Sequence, residues 1–379
     1  MKGKQGLVCM GLLLVLSSCS CHTGKQITAS GLQRKDFQTE VNGQHTDLFT
    51  LSNKQGMEVC ITNYGARVVS ILVPDRNGKR EDVVCGFSTI TEYMEQRQNF
   101  GSTVGRYIGR ILNARFTLDG VEYKLVPNNG KSGHISHGGN PGFADRIWKV
   151  EQADTHRVRL SYLSPDGENG FPGNLKVTLV YSLGEDDNAL DLTYEATTDA
   201  PTVLNLSHHS FFNISGNFTK SVEDQQLWVD ADRFTPYDDK KCVTGEYLPV
   251  AGTPLDFRMP HTIGECIDAD HPQLKVVNGY DHTWELNTKG DDTRPAAWVY
   301  DPASGRKMEI FTTEPGMQIY TGNGLKGKMT GKRGIAYPFR SAVCFETMHF
   351  QDSPNQPGFP STVLRPGEVF CSHTVYKFE

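Results

Sequence analysis

Residues 190–195 read LDLTYE, with apolar and polar side chains in strict alternation. A period of two sends successive side chains to opposite faces of an extended strand, whereas a helix needs a period near 3.6 to gather an apolar stripe. Comparable alternating runs occur at 58–63, 67–73, 116–125, 157–163, 175–183 and 189–197, then at 226–229, 296–300, 307–312, 317–320 and 342–348. Turn signals separate them, among them Asp75-Arg76-Asn77-Gly78, Asp119-Gly120, Asn129-Gly130 and Pro172-Gly173. The 38 glycines and 19 prolines suit many short strands joined by turns. Helical spacing is confined to 89–98. No repeat, heptad run or Pro/Ser-rich linker divides the chain. The pattern predicts an all-β chain, a large antiparallel β-sandwich, with residues 34–379 as one domain.

One stretch concentrates polar groups in an apolar setting. Residues 202–215 read TVLNLSHHSFFNIS, and the pattern predicts a strand. Alternation then puts Asn205, Ser207, His209, Phe211 and Asn213 on one face, with Leu204, Leu206, His208 and Phe212 on the other. Burying an amide, a hydroxyl and an imidazole unpaired costs on the order of 2–7 kcal/mol per group, so that row must meet partners or face a polar ligand. His209 is the leading candidate for a reactive group.

The first residues follow a different logic. Lys2 and Lys4 precede an apolar run at 6–16, then Leu16-Ser17-Ser18-Cys19. A charged start, a short apolar run and small residues before a cysteine form a secretory signal, and the last four residues resemble the lipobox of bacterial lipoproteins. The run is shorter than the ~20 residues a membrane-spanning helix needs. This predicts a signal peptide at 1–18, lipidation of Cys19 and a polar tether at 19–33. Such a protein sits in the cell envelope, on the outer membrane or facing the periplasm, and touches the membrane only through its lipid. With 38 basic and 44 acidic residues the net charge is −6, so there is no basic footprint for nucleic acid. Of nine cysteines none forms a CxxC pair, and Cys60, Cys85 and Cys344 lie in apolar runs where a buried free thiol is expected.

Other polar clusters are Arg106 and Arg110 in GSTVGRYIGR, His137 in GHISHGG, Asp281 in GYDH, Gln318 in QIYTGN, and Glu346 in CFET. Each alone has a plain structural reading, such as turn glycines around Arg106 or a surface turn at Asp281-His282. Glu346 shares a strand face with Cys344 and Met348 inside an apolar run, where a carboxyl loses water and its pKa rises. Histidines with Glu346 or Asp281 are zinc-ligand types, but no HExxH or other chelating pair is present, so no metal is expected. Asp186-Asp187 is of the type that binds a structural calcium ion, without ligand spacing to support one.

Taken in order, these clusters resemble one family, aldose 1-epimerase or galactose mutarotase, over residues 37–378. The resemblance is carried by GSTVGRYIGRI, SPDGENGFPG at 164–173, NLSHHSFFNISG, GYDHTW, QIYTGN and CFETMHFQDSPNQPGFPSTVLRPGE. It implies a β-supersandwich in which Glu346 is the general base, His209 the general acid and His137 an aid at the ring oxygen. Arg110, Asp281 and Gln318 would bind sugar hydroxyls. The chain departs from the family pattern at Gly109 and His208, where asparagine is frequent, at Phe211, where tyrosine is frequent, and in GHIS before His137; these bear on sugar preference.

The implied reaction interconverts the α and β anomers of free hexoses such as galactose and glucose. One carboxylate and one imidazole suffice, so no cofactor is required. The substrate is a small aldose and the protein a monomer. Glu346 should work ionised and His209 at least partly protonated. Two alternatives stand beside this reading: a sugar-phosphate 1-epimerase, which would carry extra basic residues at the cavity mouth, and a non-catalytic sugar-binding lipoprotein, which would not need the acid–base pair.

Overall fold

The computed structural model describes residues 26–379. The expected signal peptide, the expected lipidation at Cys19 and the part of the expected tether up to residue 25 lie outside the described residues. A nine-stranded antiparallel sheet forms one layer, in the order Lys149–Ala153, Arg157–Ser164, Leu175–Leu183, Ala189–Thr198, Phe370–Phe378, Lys307–Thr312, Ala297–Tyr300, Gln226–Val229 and His261–Thr262. A six-stranded antiparallel sheet packs against it: Phe211–Phe212, Val343–Met348, Gly316–Tyr320, Asp281–Glu285, Arg233–Thr235 and Leu248–Pro249. A four-stranded sheet begins with Leu48–Ser52 and continues through Glu58–Thr62, Arg67–Pro74 and Arg80–Asp82. The fold is an antiparallel β-sandwich, as the alternation predicts. Among the described residues no helix is long and apolar enough to cross a membrane.

Pleating decides what each layer buries. Leu190, Leu192, Tyr194 and Ala196 of the large sheet join Trp284, Met317, Ile319, Val343 and Phe345 of the six-stranded sheet in one apolar core. The residues between them on the six-stranded sheet, Gln318, Tyr320, Cys344 and Glu346, must then face the other way. That outward face carries the candidate site.

Most of the alternating runs coincide with a strand to within a residue or two. Run 116–125 is a hairpin, Arg115–Leu118 against Val121–Lys124, turning at Asp119-Gly120 with both residues at positive φ. The helical run becomes the helix Ile90–Gln96, capped by Thr89 with Glu92 in a capping box. Strand Phe370–Phe378 in the middle of the large sheet escapes an apolar pattern because Ser372 and Thr374 share its buried face. Thr374 is satisfied there by Thr312 at 3.0 Å and Thr347 at 2.7 Å.

Residues 202–215 are not one strand. Thr202–Val203 pairs with Val363–Leu364, Ser207–His209 with Ser102–Val104, and Phe211–Phe212 with Val343–Met348. Asn205 causes one break: its side-chain amide bonds both the carbonyl and the N–H of His349, at 2.9 and 3.0 Å. The alternation survives the breaks, since Leu204, Leu206 and Phe212 enter the core while His209 and Phe211 face the cavity.

The stretch read as a tether also needs correction. Residues Ile27 and Gln33 form a bridge, Leu32 is buried, and the N–H groups of Ala29 and Ser30 donate to the Glu58 carboxylate at 3.0 and 3.2 Å. The folded body therefore starts before residue 34. The acidic turn at Glu185 and Asp186 faces Lys54, 2.6 and 3.6 Å from the two carboxylates.

Arg106 lies away from the cavity. It is 2% exposed, and its guanidinium donates to the carbonyls of Pro172, Gly173, Ser164 and Pro165 and to the hydroxyls of Ser164 and Thr202. It thereby holds the loop at 164–173. From that loop Asn169 donates to the carbonyls of Gly138 and Pro141, both at 2.9 Å, and so braces the turn carrying His137. Replacing Arg106 by Leu strands several buried acceptors at ~1–3 kcal/mol each. We expect Arg106→Leu to lower unfolding free energy in urea by at least about 3 kcal/mol; a loss below about 1 kcal/mol would show the cage to be dispensable.

Candidate active site

Cross-strand register assembles the floor of the site. Gln318 sits opposite both Glu346 and Thr283, and Tyr320 opposite both Asp281 and Cys344, with Cys344 in turn opposite Phe211. Four adjacent strands thus project one polar patch from the face turned away from the core. His209 and Phe211 rise at its edge, and Arg110, Ser136, His137, Asn99 and Gln351 close over it to leave a cavity of about 250 Å³. This is a little below the ~300–1,000 Å³ of drug-sized ligand sites, a scale suited to one small polar molecule. All six residues singled out from sequence, His209, Glu346, Arg110, His137, Asp281 and Gln318, line it.

At its centre His209 Nε2 lies 3.2 Å from Glu346 Oε1, with both side chains nearly fully buried. The imidazole stacks on Phe211 at 5.1 Å and meets the edge of the His137 ring at 5.5 Å. Its other nitrogen, Nδ1, faces Cys344 Sγ at 3.6 Å. The donor atoms of His209, Cys344 and Glu346 lie within 4.8 Å of one another, close enough to be candidate metal ligands. However, the sulfur and the carboxylate address different ring nitrogens, and one ion takes only one of them. The neighbouring His208 points the opposite way, to Ser210 Oγ at 2.6 Å and the Tyr181 hydroxyl at 3.5 Å in the core.

The remaining polar groups form a network around the centre. Gln318 Nε2 donates to Asp281 Oδ1 at 2.6 Å, and its Oε1 accepts from Thr283 at 2.5 Å. Gln351, unforeseen as a site residue although it lies within the 344–368 motif, donates from Nε2 to the Tyr237 hydroxyl at 2.7 Å and to Gln318 Oε1 at 3.3 Å. Arg110 donates to the Lys241 carbonyl at 3.3 Å, and its other guanidinium N–H groups have no protein acceptor among the described residues. Gly109 has φ +74°, and a Cβ there would stand 2.5 Å from Gln351 Cγ. Gln351 thus fills the space of the side chain missing at 109. His137 itself is at positive φ, followed by Gly138, where a Cβ would meet the Gly105 carbonyl at 2.0 Å.

Burial dominates the electrostatics. Desolvation, helped by the nearby Asp281 carboxylate, pushes the Glu346 carboxyl well above its ordinary 4.5. Desolvation, then His137, pushes His209 well below 6.5. His137 falls to about 4 through burial and the Arg110 charge, and is neutral at pH 7. Asp281 is raised by burial against the opposing pull of Arg110. The expectation that its surroundings keep His209 protonated is therefore corrected: burial and the neighbouring histidines outweigh the backbone hydrogen bond that favours a proton there. Burial opposes net charge on the pair, so the two groups together hold one exchangeable proton. A raised carboxyl is also the stronger base and a lowered imidazole the stronger acid.

Comparison with known proteins joins this geometry to a family. The family model for aldose 1-epimerase matches residues 47–377. The chain belongs to the aldose 1-epimerase family. Its members are isomerases, and the relatives extend over nearly the whole body. The chain is 39% identical to galactose mutarotase of Sus scrofa over 328 residues, 86% of this chain and 92% of that protein. It is 36% identical to aldose 1-epimerase of Escherichia coli (strain K12) over 340 residues, 89% of this chain and 96% of that one. A crystal structure of an aldose epimerase homologue from C. elegans superposes with a TM-score of 0.81 at 31% identity, covering 88% of this chain and all but 1% of that one, since 99% of it is matched. For galactose 1-epimerase from Lactobacillus acidophilus the TM-score is 0.78 at 28% identity, covering 90% and 97%.

For an epimerase, the one-proton pair sets a pH signature. Independent groups at 4.5 and 6.5 would share one proton only between those values. Burial pushes addition of a second proton lower and loss of the last one higher, which widens the window on both sides. We expect kcat/KM to be flat from 4.5 to 6.5 and beyond each end, with folding followed by tryptophan fluorescence; a half-loss of activity inside that interval would contradict it.

Proposed function

We propose that the protein interconverts the α and β anomers of free hexoses, galactose and glucose among them, with Glu346 and His209 as its acid–base pair. The observation that carries this reading is the buried 3.2 Å contact between the two side chains at the floor of a sugar-sized polar cavity. The reacting oxygens, the C1 hydroxyl and the ring oxygen, are bonded to the same carbon, so an adjacent base and acid reach both at once. Glu346 takes the C1 hydroxyl proton while His209 gives its proton to the ring oxygen, and the ring opens. The ion pair becomes a neutral pair in that step, which a desolvated site favours. Rotation about C1–C2 and the reverse transfers then give the other anomer, so the pair is regenerated after either direction of turnover.

Asp281, Gln318, Gln351 and Arg110 offer acceptors and donors for the remaining hydroxyls, where charge-assisted hydrogen bonds fix orientation. His137, being neutral, stands beside the ring-oxygen side of His209. No step calls for a redox centre or a cofactor.

Polarimetry of freshly dissolved α-D-galactose and α-D-glucose tests the reading. Wild-type protein should speed relaxation, and Glu346→Gln and His209→Asn should each lower kcat by ~10²–10⁴-fold while sugar binding by calorimetry persists. A folded Glu346→Gln protein with undiminished turnover would overturn the assignment. Residues Leu16-Ser17-Ser18-Cys19 support a further proposal, that the protein is anchored in the cell envelope by lipid on Cys19. Cys19→Ser should then move it from the membrane to the soluble fraction on cell fractionation, and an unchanged distribution would refute the anchor.

A further inference from the structure

A second cavity of about 300 Å³ lies beside the first. The two share Asn99, Ser136 and His137, so they meet along one wall. Past that wall the second cavity is bounded by Arg97, Asn129, Asn140 and Asp145. Its polarity is mixed: Arg97 donates to Asn140 Oδ1 at 3.1 Å, and Asp145 accepts from the Gly142 N–H at 3.2 Å. Asn128 is occupied in holding the wall, since its amide bonds both the N–H and the carbonyl of Ser136, at 2.7 and 2.9 Å. The side chains of Asn99, Ser136 and Asn129, by contrast, have no hydrogen-bond partner among the described residues. Neutral donors and acceptors left open along a hollow of this size match sugar hydroxyls.

The proposed chemistry gives the hollow a direction. With the C1 hydroxyl at Glu346 and the ring oxygen at His209, the ring oxygen's other neighbour, C5, lies beyond His209. In edge contact with the His209 ring is His137, which with Asn99 and Ser136 lines both cavities, whereas Glu346 lines only the first. The C6 hydroxyl carried on C5 therefore points to the shared wall. We propose that the second cavity is a subsite for a sugar attached through that hydroxyl, so that reducing disaccharides joined 1→6 are substrates alongside free hexoses. This inference rests on the acid–base assignment above. A phosphate on the same hydroxyl fits worse, because it would meet the Asp145 carboxylate while the cation present, Arg97, is already bonded to Asn140.

The test is polarimetry with melibiose and isomaltose, both 1→6-linked, beside glucose, galactose and glucose 6-phosphate. Wild-type kcat/KM for the disaccharides should lie within about tenfold of that for glucose. Asn129→Trp, which fills the second cavity alone, should lower the disaccharide value at least about tenfold and leave the hexose value unchanged; Asn129→Ala should move it the same way by less. The subsite is refuted if hexoses are accelerated and the disaccharides are not. It is equally refuted if either variant lowers both in parallel, or if glucose 6-phosphate outperforms the disaccharides. Failure of wild type on every sugar would instead take down the acid–base reading on which it stands.

Discussion

The antiparallel register of Asp281–Glu285, Gly316–Tyr320 and Val343–Met348 is the constraint on which the rest depends. Because the pleat alternates, the strands that bury Trp284, Ile319 and Phe345 against the large sheet must turn Asp281, Gln318 and Glu346 outward. Core and site are the two faces of the same three strands. A slip of one residue would put a carboxylate in the core and a phenyl ring in the cavity, so the packing energy of the sandwich also specifies the position of the chemistry.

Much of this was legible beforehand, for a physical reason. Alternation survives in Ala189–Thr198 and Val343–Met348, so strand type and the outward face of Glu346 could be read directly. The polar row around His209 likewise announced groups that must find partners. What escaped were features fixed by tertiary partners. Asn205 breaks its strand because His349 lies across from it. The strand Phe370–Phe378 hides its pattern because threonines on its buried face are satisfied by other threonines. Gln351 belongs to the site because Gly109, distant in sequence, leaves room for it. Arg106 and Arg110 look alike in the sequence, four residues apart among glycines, yet one is caged and the other lines the cavity; only the loop at 164–173 distinguishes them.

The electrostatics follow from the same layering. A site built on the back of a core sheet and covered by loops buries its central side chains, and that burial displaces both partners of the central pair from their ordinary values. The displacements run in opposite directions, toward a carboxyl that holds a proton and an imidazole that gives one up. Neither group needs a special neighbour to be made reactive, since each supplies what the other lacks.

The cage around Arg106 has one more consequence. All the atoms it donates to, four carbonyls and two hydroxyls, are neutral. Dissolved ions weaken attraction between charges in solvent, but they have little purchase on a buried guanidinium held by dipoles. The brace that reaches from Arg106 through Asn169 to the turn of His137 therefore depends less on ionic strength than one built from exposed ion pairs.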